Sequence, residues 1–195
     1  LLAEVMRADR QFKEAAEMVQ SISDIGDQII KVAINRLNVK LMIDTQNYSD
    51  AKRIMLKALE ECPDNISYLV DLSAIERIVD SDSIASETLQ KAVDSVSDNT
   101  TKMELQTLAD ELYWDSKYTQ AAPIYEKLSE HGTSVALLDR LLLSHYQSGQ
   151  LNEALETAKK MDAAYGSLRR HSEIQSVIFE YIGDLNLVKA TCQRY

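Results

Sequence analysis

Glycine and proline are scarce, at 5 and 2 in 195 residues. So few breaks leave little room for the turns that a strand-rich fold requires. Cysteine is confined to Cys62 and Cys192. Two distant thiols make no disulfide framework, and neither has neighbours at metal-ligand spacing. They read as reduced thiols packed in helices, and the cytoplasm is the expected compartment. No apolar run approaches the ~20 residues that a membrane-crossing helix needs, so membrane insertion is not expected. Positive charge is also short: 21 Lys and Arg against 31 Asp and Glu, a formal net charge of −10. That balance repels phosphate backbones, so a nucleic acid is not the expected partner.

Signatures of chemistry are equally sparse. There is no glycine-rich phosphate loop and no nucleophile elbow. His131, His145 and His171 have no second ligand three or four residues away. His145 falls at an interior helical position and reads as a hydrogen-bonded core histidine. Asp80-x-Asp82 resembles the start of a calcium loop, but the later oxygen ligands, the glycine and the closing Glu are not in place. No enzyme activity, metal or cofactor is expected.

What the chain does have is a recurring pair, a large apolar residue followed three positions later by a small one. It occurs as Phe12-x-x-Ala15, Tyr48-x-x-Ala51, Tyr118-x-x-Ala121 and Leu151-x-x-Ala154, with Leu185-x-x-Val188 as a variant. The first members are 36, 70, 33 and 34 residues apart, and a degraded copy near Ile84 and Ala85 divides the long gap. A period of about 34 residues predicts helical hairpins in series. With 45% hydrophobic residues the chain can supply a continuous core.

Six hairpins are expected, over residues 1–23, 27–62, 65–97, 99–130, 133–166 and 167–195, together forming a single domain. Each holds a first helix, A, and a second, B. In hairpin two, Ile29, Ile30, Ala33, Leu37, Leu41 and Met42 supply the apolar stripe of helix A. In hairpin three the stripes are Leu69, Leu72, Ile75, Ile78 and Val79, then Ala85, Leu89, Ala92, Val93 and Val96, with Asp80-Ser81-Asp82-Ser83 able to cap helix B. Hairpin three is expected to lack the small residue and to carry a one-residue insertion. Met103, Leu105, Leu108, Ala109 and Leu112 define helix A of hairpin four, and Pro123 stands early in its helix B. Gly149 and Gly183 hold matching places after helix A, where positive φ is expected. The chain begins Leu1-Leu2 and stops at Tyr195, inside what would be a helix B. The reading therefore expects a segment of a longer protein.

Gly149-Gln150-Leu151-Asn152-Glu153-Ala154 resembles the turn and helix-B start of the tetratricopeptide repeat. Tyr48-x-x-Ala51 with Ala58 and Pro63 is similar to that repeat's second helix and its terminal proline. Leu105, Leu108, Ala109 and Leu112 resemble its helix-A core. Leu142 and Val188 stand where the family usually has small residues. Half-a-tetratricopeptide and Sel1-type repeats are similar alternatives. The resemblance implies an all-α, right-handed α-solenoid with a concave face lined mainly by helices A, and a role in protein binding.

The charge is concentrated. Residues 64–116 hold 3 basic and 12 acidic side chains, so this stretch alone carries −9. Such a field suits a basic protein or peptide segment. Aligned on the family's helix B start, Gln106, Asp110, Tyr113 and Trp114 of hairpin four face the concave side. Asp139, Leu143, Tyr146 and Gln147 of hairpin five do the same. Carboxylates beside aromatics suit a Lys- or Arg-bearing peptide, the rings supplying area and the acids orientation. Arg36 and Lys40 occupy helix-A positions used by a terminal-carboxylate clamp, without the rest of that clamp. A basic rim is expected around Lys159, Lys160, Arg169, Arg170 and His171. The expectation is a non-enzymatic scaffold that binds a peptide or protein in its groove. The alternatives are a structural or self-associating array and a regulatory spacer within a larger protein.

Overall fold

The computed structural model describes residues 2–21, 28–166, 173, 175–178 and 180. Gly183, Leu185, Val188 and Cys192, with the basic residues Arg169, Arg170 and His171, lie outside the described residues. The described chain is all helical and divides into two compact units, Leu1–Asn99 and Thr100–Tyr195.

The first unit holds α1 (Leu2–Ala8), α2 (Phe12–Ser21), α3 (Gln28–Asp44), α4 (Tyr48–Glu61), α5 (Ile66–Val79) and α6 (Asp82–Asp94). The second holds α7 (Lys102–Trp114), α8 (Tyr118–Glu130), α9 (Val135–Gln147) and α10 (Leu151–Tyr165). Odd-numbered helices are helices A and even-numbered ones helices B. Within each unit, consecutive helices pack on one another.

The small residues of the repeating pair explain this packing. Ala15, Ala51, Ala121 and Ala154 are each 0% exposed. A methyl group at each point lets helix B lie against helix A at close range, and large neighbours fill the remaining space. In the first unit Val39, Ala51, Met55, Ala58, Tyr68, Leu72 and Ile75 form one core cluster, and Ala3, Ala15, Val19, Ile34 and Leu41 form another. In the second unit Leu105, Leu108, Ala109, Leu112, Tyr125, Leu128, Leu142 and Met161 are completely buried.

One expectation about hairpin three is corrected. The small residue is present: Ala85, also 0% exposed, stands three positions after Asp82 at the start of α6. The large first residue is what has been replaced, by Asp82. The loop from α5 to α6 is Asp80–Ser81, one residue shorter than its counterparts, while seven residues separate α6 from α7, against four between α4 and α5. The stripe of α3 also differs in phase. Ile30 is 39% exposed and Ala33 is exposed, while Ile34, Val39 and Leu41 are buried. Apolar residues occur almost all around α3, so periodicity alone selects no face. Likewise Met103, Ile78 and Val79 are exposed ends of otherwise buried stripes.

Four of the A-to-B turns close identically. The fifth residue back from Gln11, Asn47, Lys117 and Gln150 supplies the carbonyl that accepts its amide: Met6, Met42, Leu112 and His145. The residue before each of these adopts positive φ: Arg10 (61°), Gln46 (61°), Ser116 (58°) and Gly149 (78°). This is a left-handed helix cap, which satisfies the last carbonyls of helix A. Glycine marks it at only one of the four places. Three helices A, α5, α7 and α9, instead start on side-chain caps. Asn65, Ser81, Thr101 and Ser134 each accept an amide of the following turn, Ser81 doing so for the helix B of hairpin three. At Thr101, Glu104 reaches back to the Thr101 amide and completes a capping box. Pro123 is accommodated inside α8, which continues unbroken to Glu130.

Candidate functional site

Helix α7 presents Gln106, Asp110 and Tyr113 at three- and four-residue spacing, so they share one face, with Trp114 at the helix end. Asp110 is the centre of a hydrogen-bonded group. Gln106 donates Nε2–H to Asp110 Oδ1 at 2.8 Å, and Tyr125 of α8 donates its hydroxyl to the same oxygen at 2.7 Å. Arg140 of α9 donates Nη1–H to that oxygen as well. Its guanidinium lies 5.9 Å from the centre of the Trp114 ring, within cation–π range.

The electrostatics follow from this arrangement. Burial, and then the hydrogen bond to Asp110, push the Tyr125 hydroxyl far above the ordinary phenol value. The hydrogen bond to Asp110 raises the Arg140 pKa, against the lowering effect of burial. Both groups therefore keep their protons throughout the physiological range.

Around this group stands an aromatic cluster. Tyr113 meets Trp114, Tyr118 and Tyr125 edge-to-face, with ring centres 5.3, 5.6 and 6.3 Å apart. Edge-to-face rings hold one another in fixed orientation. Tyr125 is completely buried, Tyr113 half-buried, and Trp114 71% exposed. A large aromatic side chain thus projects into solvent from a rigid base.

Four of the eight residues singled out from the sequence meet at one place. Gln106, Asp110, Tyr113 and Trp114 come together around Arg140. Tyr146 and Gln147 instead line a separate hollow of about 370 Å³ with Gly149, Leu151, Val177 and Ile178. Leu143 and Asp139 are half-buried on α9 between these two places in sequence. Sequence reasoning missed Arg140 and Tyr125. Arg140 had a visible signal: it is a lone cation among Leu137, Leu138, Leu141, Leu142 and Leu143, where a charge requires a partner. Tyr125 had none, because its partner is 15 residues away on another helix.

At least five of the twelve acids of residues 64–116 are paired with cations of the protein itself. Asp71 pairs with Arg36, Glu76 and Asp80 with Lys52, Asp110 with Arg140, and Asp115 with Lys117. Glu76, 5% exposed, also accepts a hydrogen bond from Thr88 at 2.6 Å. Formal charge along the sequence therefore overstates the field presented to a partner. Arg36, one of the two clamp-like cations, is committed to Asp71.

His145 is 2% exposed, with Nδ1 at 3.1 Å from Gln150 Oε1 and Nε2 at 3.5 Å from Glu126 Oε1. It borders a hollow of about 610 Å³ that also carries Glu130, Glu153 and Glu156. Among the described residues no group of three or more His, Cys, Asp or Glu side chains is placed to hold a metal ion. No described helix is long and apolar enough to cross a membrane.

No family model and no curated protein matches the chain. Solved structures do. One described as MamA protein superposes with a TM-score of 0.58 at 18% identity, covering 83% of this chain and 88% of that one. A second MamA structure (AMB-1) gives 0.58 at 15% identity, covering 84% and 96%. PilW, described as a widely conserved type IV pilus biogenesis factor, gives 0.57 at 11% identity, covering 97% and 87%. At such identities the likeness carries the fold: an all-α, tetratricopeptide-like helical-repeat architecture.

Proposed function

We propose that this chain is a non-enzymatic interaction scaffold that binds a peptide or protein segment across the helix-A faces of α7 and α9. The observation that carries this reading is Trp114, 71% exposed yet set edge-to-face against Tyr113. An exposed tryptophan on a rigid base loses little conformational freedom on binding and offers a large contact area, which is how interface anchors work. Asp139 and Leu143 extend the same surface along α9, and Tyr146 and Gln147 offer a second hollow at its end. The segment is proposed to be basic, in the specific sense developed below. Helical-repeat scaffolds need no cofactor for such binding, and a reducing compartment suits two cysteines so far apart in sequence.

The test is selection of peptides from a random library on the intact chain, followed by affinity measurement on Trp114→Ala. Peptides that use this face should lose at least about tenfold in affinity, equivalent to ~1.4 kcal/mol. Retention of full affinity by every selected peptide would sink the reading.

Self-association is the rival. In its favour are the exposed apolar residues Ile78, Val79 and Ile84 around the end of α5 and start of α6. Sedimentation over a range of concentrations separates the two, because a dimer that persists on dilution without a partner supports the rival.

A further inference from the structure

Arg140 rests in a receptacle that another hairpin builds. The Asp110 carboxylate and Trp114 ring come from α7, with Gln106 alongside, and the Tyr125 hydroxyl comes from α8. The guanidinium comes from α9. A carboxylate beside an aromatic face is the setting a guanidinium prefers, because the ion pair supplies charge and the ring attracts the flat cation lying over it.

The occupancy is incomplete. Gln106, Tyr125 and Arg140 all donate to Asp110 Oδ1, and none of the three bonds goes to Oδ2. Elsewhere in the chain, arginines that join successive A helices grip both carboxylate oxygens. Arg7 uses Nε and Nη2 on Asp44, and Arg36 uses Nε and Nη2 on Asp71. Arg140 uses Nη1 alone. A one-point contact leaves acceptor capacity for a second, forked donor. The pair is also within reach of solvent, with Asp110 28% and Arg140 31% exposed. Withdrawing the Arg140 side chain need not disturb α9, whose core contacts run through Leu137, Leu138, Leu141 and Leu142.

Building on the docking face proposed above, we infer that Asp110, Trp114, Gln106 and Tyr125 form a guanidinium-binding site that Arg140 fills from within the chain, and that an arginine side chain of a bound segment competes for it. Arg140 is then an internal stand-in for the ligand. Exchange replaces one cation with another, so bulk charge contributes little and shape decides. The site therefore takes arginine over lysine, since only the planar guanidinium presents two N–H groups in a rigid fork that matches both oxygens of Asp110. A diffuse acidic surface would treat the two cations alike.

Trp114 is the sole tryptophan, so its fluorescence reports the site directly. Arg140→Ala is titrated with methylguanidinium, and with methylammonium at matched ionic strength. The expected result is a saturable change with methylguanidinium and none with methylammonium. The wild-type chain should need at least about tenfold more methylguanidinium, and adding Asp110→Asn to Arg140→Ala should abolish the response. Circular dichroism checks that the helices persist. Should Arg140→Ala fail to fold, Arg140→Gln serves in its place with the same expectations. No saturable response, an equal response to both cations, or a response surviving Asp110→Asn overturns the inference. If selected peptides still depend on Trp114 in that event, the docking face stands and only its arginine specificity falls.

Discussion

Arg36 holds Asp71 at two points, with Nε donating to Oδ2 at 2.5 Å and Nη2 to Oδ1 at 3.1 Å. The two residues join α3 to α5, helices A of successive hairpins, and their side chains are only 16% and 13% exposed. Two-point geometry and partial burial set this pair apart from a solvated surface bridge. Arg36→Ala would leave Asp71 half-buried and unneutralised, at a cost of about 2–3 kcal/mol. Replacing both residues with leucine should cost less than the sum of the single changes. A double-mutant cycle from urea denaturation checks this, and strict additivity would contradict it.

The left-handed turns predict opposite effects from two simple substitutions. Gly149 has φ of 78°, and a Cβ there would meet nothing within 4 Å. Gly149→Ala should therefore cost about 1 kcal/mol from backbone strain alone. Ser116 already bears that strain at φ of 58°. Ser116→Gly should be neutral or stabilise by up to about 0.5 kcal/mol, the relief being partly offset by unfolded-state entropy. Thermal melts of the two variants, shifting in opposite directions or in one direction only, decide the point.

Alkaline stability should depend on Tyr125. Its hydroxyl is raised in the folded chain, whereas the unfolded phenol titrates near 10.0. Above that pH the unfolded state holds fewer protons than the folded state, so stability falls as pH rises. Below it, both states are neutral and the residue contributes no slope. Tyr68, raised by burial, acts in the same direction. Urea midpoints should be flat with respect to these groups between roughly pH 8 and 9 and decline above about 10. Tyr125→Phe should reduce the decline while lowering stability at neutral pH through the lost hydrogen bond.

Helix spacing can be tested by overfilling it. Ala121 and Ala154 are fully buried at the A–B contact. Ala121→Trp or Ala154→Trp should cost about 1–3 kcal/mol or more. Ala136→Trp, at an exposed position on α9, should be nearly silent. Equal melting temperatures for all three would show that the small residues do not set the spacing.

Much of the fold was legible because it repeats. Ala15, Ala51, Ala121 and Ala154 marked the start of four helices B, and helical spacing placed Leu105, Leu108, Ala109 and Leu112 in the core. Legibility failed where local pattern was ambiguous or silent. The apolar circumference of α3 concealed its buried face. Asp82 disguised the start of α6, since a search for a large apolar residue passed over it. Only one of four left-handed turns carried glycine, because Arg10, Gln46 and Ser116 tolerate the strain without announcing it.

The amino-acid sequence alone determined that this protein is a series of paired helices with a tight contact at each small residue. That follows from short-range periodicity, which depends only on neighbours three and four positions apart. Which charges remain available to a partner was decided by tertiary structure. Asp110 meets Arg140 across 30 positions, and Asp71 meets Arg36 across 35. Such pairings depend on how one hairpin is placed on the next. Coulomb attraction and hydrogen bonding act only at close approach, and folding alone brings those side chains together.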